Sequence, residues 1–88
     1  MEIDVALLRH PDVAEAAGFA VPHPRLGEDV AAAVVLRPGA AATPDELRHF
    51  LGTQLTWFKV PRRITIMQDL PKGSTGKVQR RRLSESYR

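Results

Sequence analysis

The chain has 88 residues, a net charge of +3, no cysteine and an ordinary balance of apolar and charged residues. That length supports one domain with a modest core. The lack of cysteine excludes a disulfide framework and a thiolate metal site, and no apolar run is long enough to span a membrane.

The first ten residues carry Glu2, Asp4 and Arg9 and no continuous apolar stretch, so they do not read as a signal peptide, and a cytoplasmic location is expected. The net charge conceals a split. Residues 1–56 hold four arginines against eight acids, a net of −4. Residues 57–88 hold nine Lys and Arg against Asp69 and Glu85, a net of +7. The basic end calls for an anionic partner.

Residues 1–10 predict a short helix, with Ile3 and Leu7 four apart on one face and Leu8 extending it. Pro11 ends it, because the residue before a proline avoids the helical region. The chain starts almost inside this helix, so a longer protein is expected. Residues 13–21 predict a strand with Val13, Ala17, Phe19 and Val21 on one side, interrupted by Glu15. Its other side is small: Ala14, Ala16, Gly18 and Ala20. Such a face permits close packing or the approach of another backbone. Pro22-His23-Pro24-Arg25-Leu26-Gly27 predicts a turn. Residues 29–37 are apolar on both faces, which predicts a central strand, antiparallel to the first because the connection is short.

Pro38-Gly39 closes that strand. In Thr43-Pro44-Asp45-Glu46, Thr43 suits a helix cap, Pro44 the first helical position and Glu46 a capping box. Leu47, Phe50, Leu51 and Leu55 then form an amphipathic face, and the helix ends near Thr56. Trp57-Phe58-Lys59-Val60-Pro61 predicts a connector whose aromatic pair packs in the core or at a hinge. Residues 62–67 predict a third strand, reached by a parallel crossover. A loop and a last helix over residues 79–86 follow. The expected fold class is α+β: a small three-stranded mixed sheet flanked by about three helices, in the order helix-strand-strand-helix-strand-loop-helix.

The loop before the last helix holds the candidate chemistry. Leu70-Pro71-Lys72-Gly73-Ser74-Thr75-Gly76-Lys77-Val78-Gln79-Arg80 sets Lys77 at the end of a glycine-bracketed turn. Gly73 and Gly76 let the backbone turn sharply or approach a ligand. A lysine there brings positive charge to a phosphate or carboxylate. A nucleotide-triphosphate P-loop is excluded, because Pro71 stands where that motif needs glycine and Val78 where it needs Ser or Thr. His10, His23 and His49 lack metal-ligand spacing; His10 marks the end of the first helix and His49 the exposed side of the second. A nucleic-acid module would use the basic third for backbone contacts, but residues 70–86 hold no interleaved aromatics and no recognised motif.

Leu70-Pro71-Lys72 through Gly76-Lys77-Val78-Gln79-Arg80 resembles the C-terminal signature of the adenylate-forming superfamily. Glu2-Ile3-Asp4 through Pro11-Asp12-Val13, Val21-Pro22-His23-Pro24 with Leu26-Gly27-Glu28, and Phe58-Lys59-Val60-Pro61-Arg62 resemble further family segments in the same order. The resemblance covers nearly the whole chain. It implies a mobile C-terminal lid, residues 1–88, of an ATP-dependent acyl-CoA synthetase whose large N-terminal ATP-binding domain lies in the same chain or acts in trans. Lys77 matches the lysine that contacts the acyl carboxylate and the ATP α-phosphate, with Gly76 and Thr75 beside it. Arg62 matches a position that some CoA ligases use for the CoA phosphates, with Lys59 and Arg63 nearby, and Gly18 would border the pantetheine path or serve packing. ATP with Mg2+ and CoA would be used by the full-length enzyme, with none held by this domain alone. Nucleic acid is not an expected partner. Ser74-Thr75 and Gln79 favour the CoA-ligase version of the signature over that of carrier-protein-loading domains, the alternative. A free-standing regulator docking on a partner's ATP domain is a further reading.

Overall fold

The computed structural model describes residues 2–25 and 27–86, with the backbone alone for Glu28. Its elements are α1 (Glu2–Leu8), β1 (Val13–His23), β2 (Gly27–Leu36), α2 (Pro44–Gln54), a 3₁₀ turn (Trp57–Lys59), β3 (Arg63–Ile66) and α3 (Arg80–Ser86). This is the α+β order expected from the sequence. The sheet runs β1-β2-β3, with β1 antiparallel and β3 parallel to β2. Among the described residues no helix is long and apolar enough to cross a membrane.

β2 is central because both of its faces are apolar. Ala32 and Val34 join Ile3, Ala6 and Leu7 of α1, Leu47 and Leu51 of α2, and Ile64 of β3 in one core. Ala31 and Ala33 join Phe19, Leu70 and Leu83 in a second core on the opposite face. An edge position would leave one of these apolar rows without cover.

Three sequence expectations change. Val13 does not share a side with Ala17, Phe19 and Val21: it packs in the first core and they pack in the second. The register runs Val13↔Leu36 and then Glu15↔Val35, so Ala14 is an extra residue in a β-bulge. One inserted residue reverses which face each later side chain meets. β1 also continues through Pro22, which an edge strand tolerates because its outward groups need no ladder partner. Finally, α1 stops at Leu8, and Leu8 is exposed, so its buried face is Ile3, Ala6 and Leu7. His10 lies past the helix. Its ring meets Phe50 edge-on at 4.9 Å, and its Nδ1 accepts the Asp12 N–H at 3.1 Å.

α2 starts at the predicted Thr43 cap, but the Glu46 carboxylate takes the Thr43 hydroxyl and not the Thr43 N–H of the expected capping box. Thr43 Oγ1 accepts the Glu46 N–H at 3.1 Å and donates to the Glu46 carboxylate at 3.1 Å. His49 is exposed, as expected.

The outer edge of β1 is closed by side chains from both layers. Asp4 of α1 accepts the Gly18 N–H at 2.7 Å. Arg80 of α3 donates to the Gly18 carbonyl at 2.9 Å and to Asp4 Oδ2 at 2.6 Å. Ser84 donates to the Ala20 carbonyl at 2.6 Å. Two strand residues advance about 6.6 Å and four helical residues about 6 Å, so Arg80 and Ser84 meet alternate outward carbonyls. Capping an edge in this way blocks pairing with another chain.

Removing the Thr43 hydroxyl should cost about 1 kcal/mol. Thermal melts followed by circular dichroism should show Thr43→Ala lowering Tm by roughly 4–8 °C. Leu51 is fully buried between α2 and the sheet. Leu51→Ala should cost about 2–5 kcal/mol, read as a lowered urea midpoint at unchanged slope.

Candidate functional site

Residues 70–80 fold into a small hairpin rather than an open loop. Lys72 and Val78 form an antiparallel bridge. The Gly73 N–H donates to the Lys77 carbonyl at 2.9 Å, the Gly76 N–H to the Gly73 carbonyl at 3.0 Å, and the Gln79 N–H to the Pro71 carbonyl at 2.8 Å. Leu70 and Val78 anchor its base in the second core beside Leu83. Gly76 turns the chain at φ +82°, where a β-carbon would be strained. Gly73 meets a different need. Its φ is not positive, but a β-carbon there would lie 2.8 Å from the Gln79 side-chain nitrogen.

Lys72, Lys77 and Arg80 are the cations of this segment, and two are committed. Lys72 Nζ lies 2.7 Å from Glu15 and 3.7 Å from Asp69. The Glu15 hydrogen bond raises the Lys72 pKa, and the charges of Glu15 and Asp69 act in the same direction. Arg80 is held by Gly18 and Asp4. Lys77 is exposed beside the hairpin tip, and its amine has no hydrogen-bond or ion-pair partner among the described residues. Ser74, Thr75 and Gly76 are exposed around it.

Arg62 and Lys59 stand elsewhere. The Arg62 N–H donates to the Val30 carbonyl at 3.0 Å, and its guanidinium pairs with Asp29 at 2.5 Å and lies 3.4 Å from His23 Nε2. Lys59 Nζ lies 3.4 Å from Glu2. The Arg62 hydrogen bond, helped by the Val30 N–H, lowers the Asp29 pKa below its usual 3.8. That pairing therefore adds stability above the usual value and loses it as pH falls through the lowered one.

Trp57 and Phe58 are 83% and 64% exposed, ring edge to ring face at 5.6 Å, which corrects the expectation that they pack in the core. Leu47 and Leu51 already fill that side, with Leu55 and Val60 packed against them, and the 3₁₀ turn carries the rings outward. Phe58, Lys59, Glu2, Ile3, Asp29 and Val30 line a shallow cleft of about 270 Å³.

The anticipated residues thus fall into two groups. Arg62 is tied to the start of β2 at Asp29 and Val30, whereas Glu15, the anchor of Lys72, sits opposite Val35. From Val30 to Val35 the strand advances about 17 Å. Lys77, Gly76 and Thr75 therefore occupy one end of the sheet and Arg62 and Lys59 the other. Gly18 lies buried in β1 with both backbone polar groups bonded to side chains, an arrangement that favours its packing role. Among the described residues no three His, Asp or Glu converge as a metal site.

Sequence reasoning missed Arg80 and Asp4. Arg80 reads as one of three consecutive solvated arginines. A signal was present in Asp4, an acid next to Ile3 on the buried side of α1, which calls for a partner.

Three comparisons bear on this arrangement. The family model for the AMP-binding enzyme C-terminal domain matches residues 2–77, the last of which is Lys77. Oxalate–CoA ligase of Arabidopsis thaliana is 39% identical over 87 residues, covering 99% of this chain and 17% of the relative. Fatty acid–[acyl-carrier-protein] ligase ScoC of Streptomyces coeruleorubidus is 41% identical over 86 residues, covering 98% of this chain and 17% of the relative. The crystal structure of apo MatB from Rhodopseudomonas palustris superposes with a TM-score of 0.92 at 40% identity, covering 98% of this chain and 17% of that one. The chain spans about a sixth of the length of these relatives. With the match running from α1 to the hairpin lysine, the chain belongs to the AMP-binding enzyme C-terminal domain family.

Proposed function

We propose that residues 1–88 act as the mobile C-terminal domain of an ATP-dependent acyl-CoA synthetase, with Lys77 as its adenylation lysine. The observation that carries this reading is the state of the hairpin. Its backbone is closed by hydrogen bonds, its other cations are paired, and Lys77 alone among them presents an uncommitted ammonium.

In the first half-reaction a carboxylate oxygen attacks the α-phosphorus of ATP. The bond to the bridging oxygen breaks, and diphosphate leaves with the electron pair. Two anions must approach, and charge moves onto the leaving oxygen. The Lys77 ammonium offsets the repulsion and stabilises that charge. At about 4 Å and an effective dielectric near 20, one such contact is worth on the order of 4 kcal/mol before desolvation. In the second half-reaction the CoA thiol attacks the acyl-adenylate carbonyl and AMP leaves. At the opposite end of the sheet, Arg62 and Lys59 would meet the CoA phosphates by exchanging their present carboxylate partners, Asp29 and Glu2, for phosphate. The N-terminal adenylation domain, in the same chain or in trans, would supply the acid and ATP pockets. Mg2+ would accompany the triphosphate there, since no acid cluster in the described part of this domain suits it. A cytoplasmic location, where ATP and CoA are available, belongs to the same proposal.

The ScoC relative, named for an acyl-carrier-protein acceptor, keeps a carrier protein as the second reading of the acceptor. Assays with CoA and with a phosphopantetheinylated carrier protein separate the two.

In the full-length ligase, Lys77→Ala should lower acyl-adenylate formation by about a hundredfold to a thousandfold, the equivalent of one such charge contact. Thioester formation from preformed acyl-adenylate should be retained. Normal adenylation by this variant would overturn the assignment. Arg62→Ala should raise the CoA KM by about fivefold, the scale of a single exposed charge contact, with the ATP KM unchanged. An unaltered CoA KM would leave Arg62 only its pairing with Asp29.

A further inference from the structure

Lys77 can act only if the hairpin holds it still, and that hairpin rests on two footings, both on β1. The first is the Lys72–Glu15 contact, whose side chains are each about a third exposed. It joins one flexible ammonium to one flexible carboxylate, and such a pair holds geometry weakly. The second is Arg80, three residues beyond Lys77 and the first residue of α3. Its Nη1 meets the Gly18 carbonyl and its Nη2 meets Asp4 Oδ2, while the other Asp4 oxygen takes the Gly18 N–H. Asp4 has the one buried charged side chain among the described residues. A planar guanidinium bonded to two acceptors has little freedom to rotate. The Arg80 side chain is no less exposed than the Lys72–Glu15 pair, at 40%, so the difference lies in its fork and in the buried groups that the fork meets.

The consequence for the lysine is geometric. Lys77 lies between the hairpin tip and this footing. Its own carbonyl is tied back to Gly73, and Gln79 is tied to Pro71. With Arg80 seated, the return leg of the hairpin is fixed to the edge of β1 and, through Asp4, to α1. Without it, the return leg keeps only the hairpin's internal bonds and the packing of Val78 and Leu83. Apolar packing is non-directional and tolerates small rotations of the leg. We infer that Arg80 is the positioning residue for Lys77, with Asp4 as its support: the Arg80–Asp4–Gly18 clamp sets the direction in which the ammonium leaves the hairpin. This rests on the adenylation role proposed for Lys77.

A purely structural role and a positioning role differ in what they move. General loosening of the domain would weaken both half-reactions together. Misdirection of Lys77 would slow only the step that uses it. A displacement of about 1 Å at a reacting centre can cost on the order of a hundredfold in rate.

The test uses the full-length ligase with Arg80→Gln, Arg80→Lys and Asp4→Asn, and with Lys77→Ala as reference. Adenylation is followed by diphosphate release, and thioester formation by reaction of preformed acyl-adenylate with CoA. Arg80→Gln should lower the adenylation kcat by about tenfold to a hundredfold, with ATP and acid KM changed by less than about threefold. Thioester formation should stay within about twofold of the parent. Arg80→Lys keeps a charge for Asp4 but loses the fork, so it should fall between the parent and Arg80→Gln; it also serves where Arg80→Gln fails to fold. Asp4→Asn should repeat the selective loss in milder form. Equal loss in both half-reactions, or no loss in adenylation, overturns the inference. If Lys77→Ala lowers adenylation and the Arg80 variants do not, the inference falls and the reading of Lys77 stands. If Lys77→Ala itself leaves adenylation unchanged, both fall.

Discussion

The structure depends on one arrangement at the open edge of β1, where Asp4 and Arg80 reach around the sheet from opposite faces and meet at Gly18. α1 lies in the layer that packs on Val34 and Ile64, and α3 places Leu83 in the layer that packs on Phe19 and Ala33. Nothing in either apolar core joins these two layers, because the sheet stands between them. The clamp does so with one guanidinium and one carboxylate, and in the same step satisfies two backbone groups that an edge strand leaves outward. A buried carboxylate is costly alone, and an unpaired edge is a liability. Here each problem supplies the partner for the other.

That arrangement explains how a small sheet, with three strands among the described residues, keeps a defined third layer. α3 has seven residues and buries a single side chain, Leu83. A helix this short does not hold itself together in water. Its place comes from Leu83 beneath it and from Arg80 and Ser84 bonded to alternate carbonyls of β1. The helix is thus positioned by the strand edge, and the hairpin that ends at Arg80 inherits that position.

Much of the fold was legible in the sequence because its signals are local. The apolar run of β2 requires cover on both faces, Thr43-Pro44 starts a helix by its own chemistry, and the short turn after β1 forces an antiparallel pair. The proposal for Lys77 also rests on a local signal, because the residues on both sides of it form a specific signature. What the sequence concealed depends on distance. The bulge at Ala14 exists only in the pairing with β2, and without it Val13 falls on the wrong face. Trp57 and Phe58 look like core residues by composition, yet α2 and Val60 fill the available space first. Arg80 stands among three arginines, and only its neighbour across 76 residues of chain, Asp4, separates it from the other two.

The two basic ends place a constraint on the proposed reaction. They are about 17 Å apart along β2, a strand held on both faces and paired on both edges. Neither a lysine nor an arginine side chain spans such a distance, and the packed strand between them does not bend to bring them together. As the mobile lid proposed above, the domain would turn as a body between the two half-reactions. Stiffness then becomes a functional requirement of the small domain. A hairpin that moved independently of α1 would not carry Lys77 away when the body turned, and the Asp4–Arg80 clamp is the connection that makes the two move together.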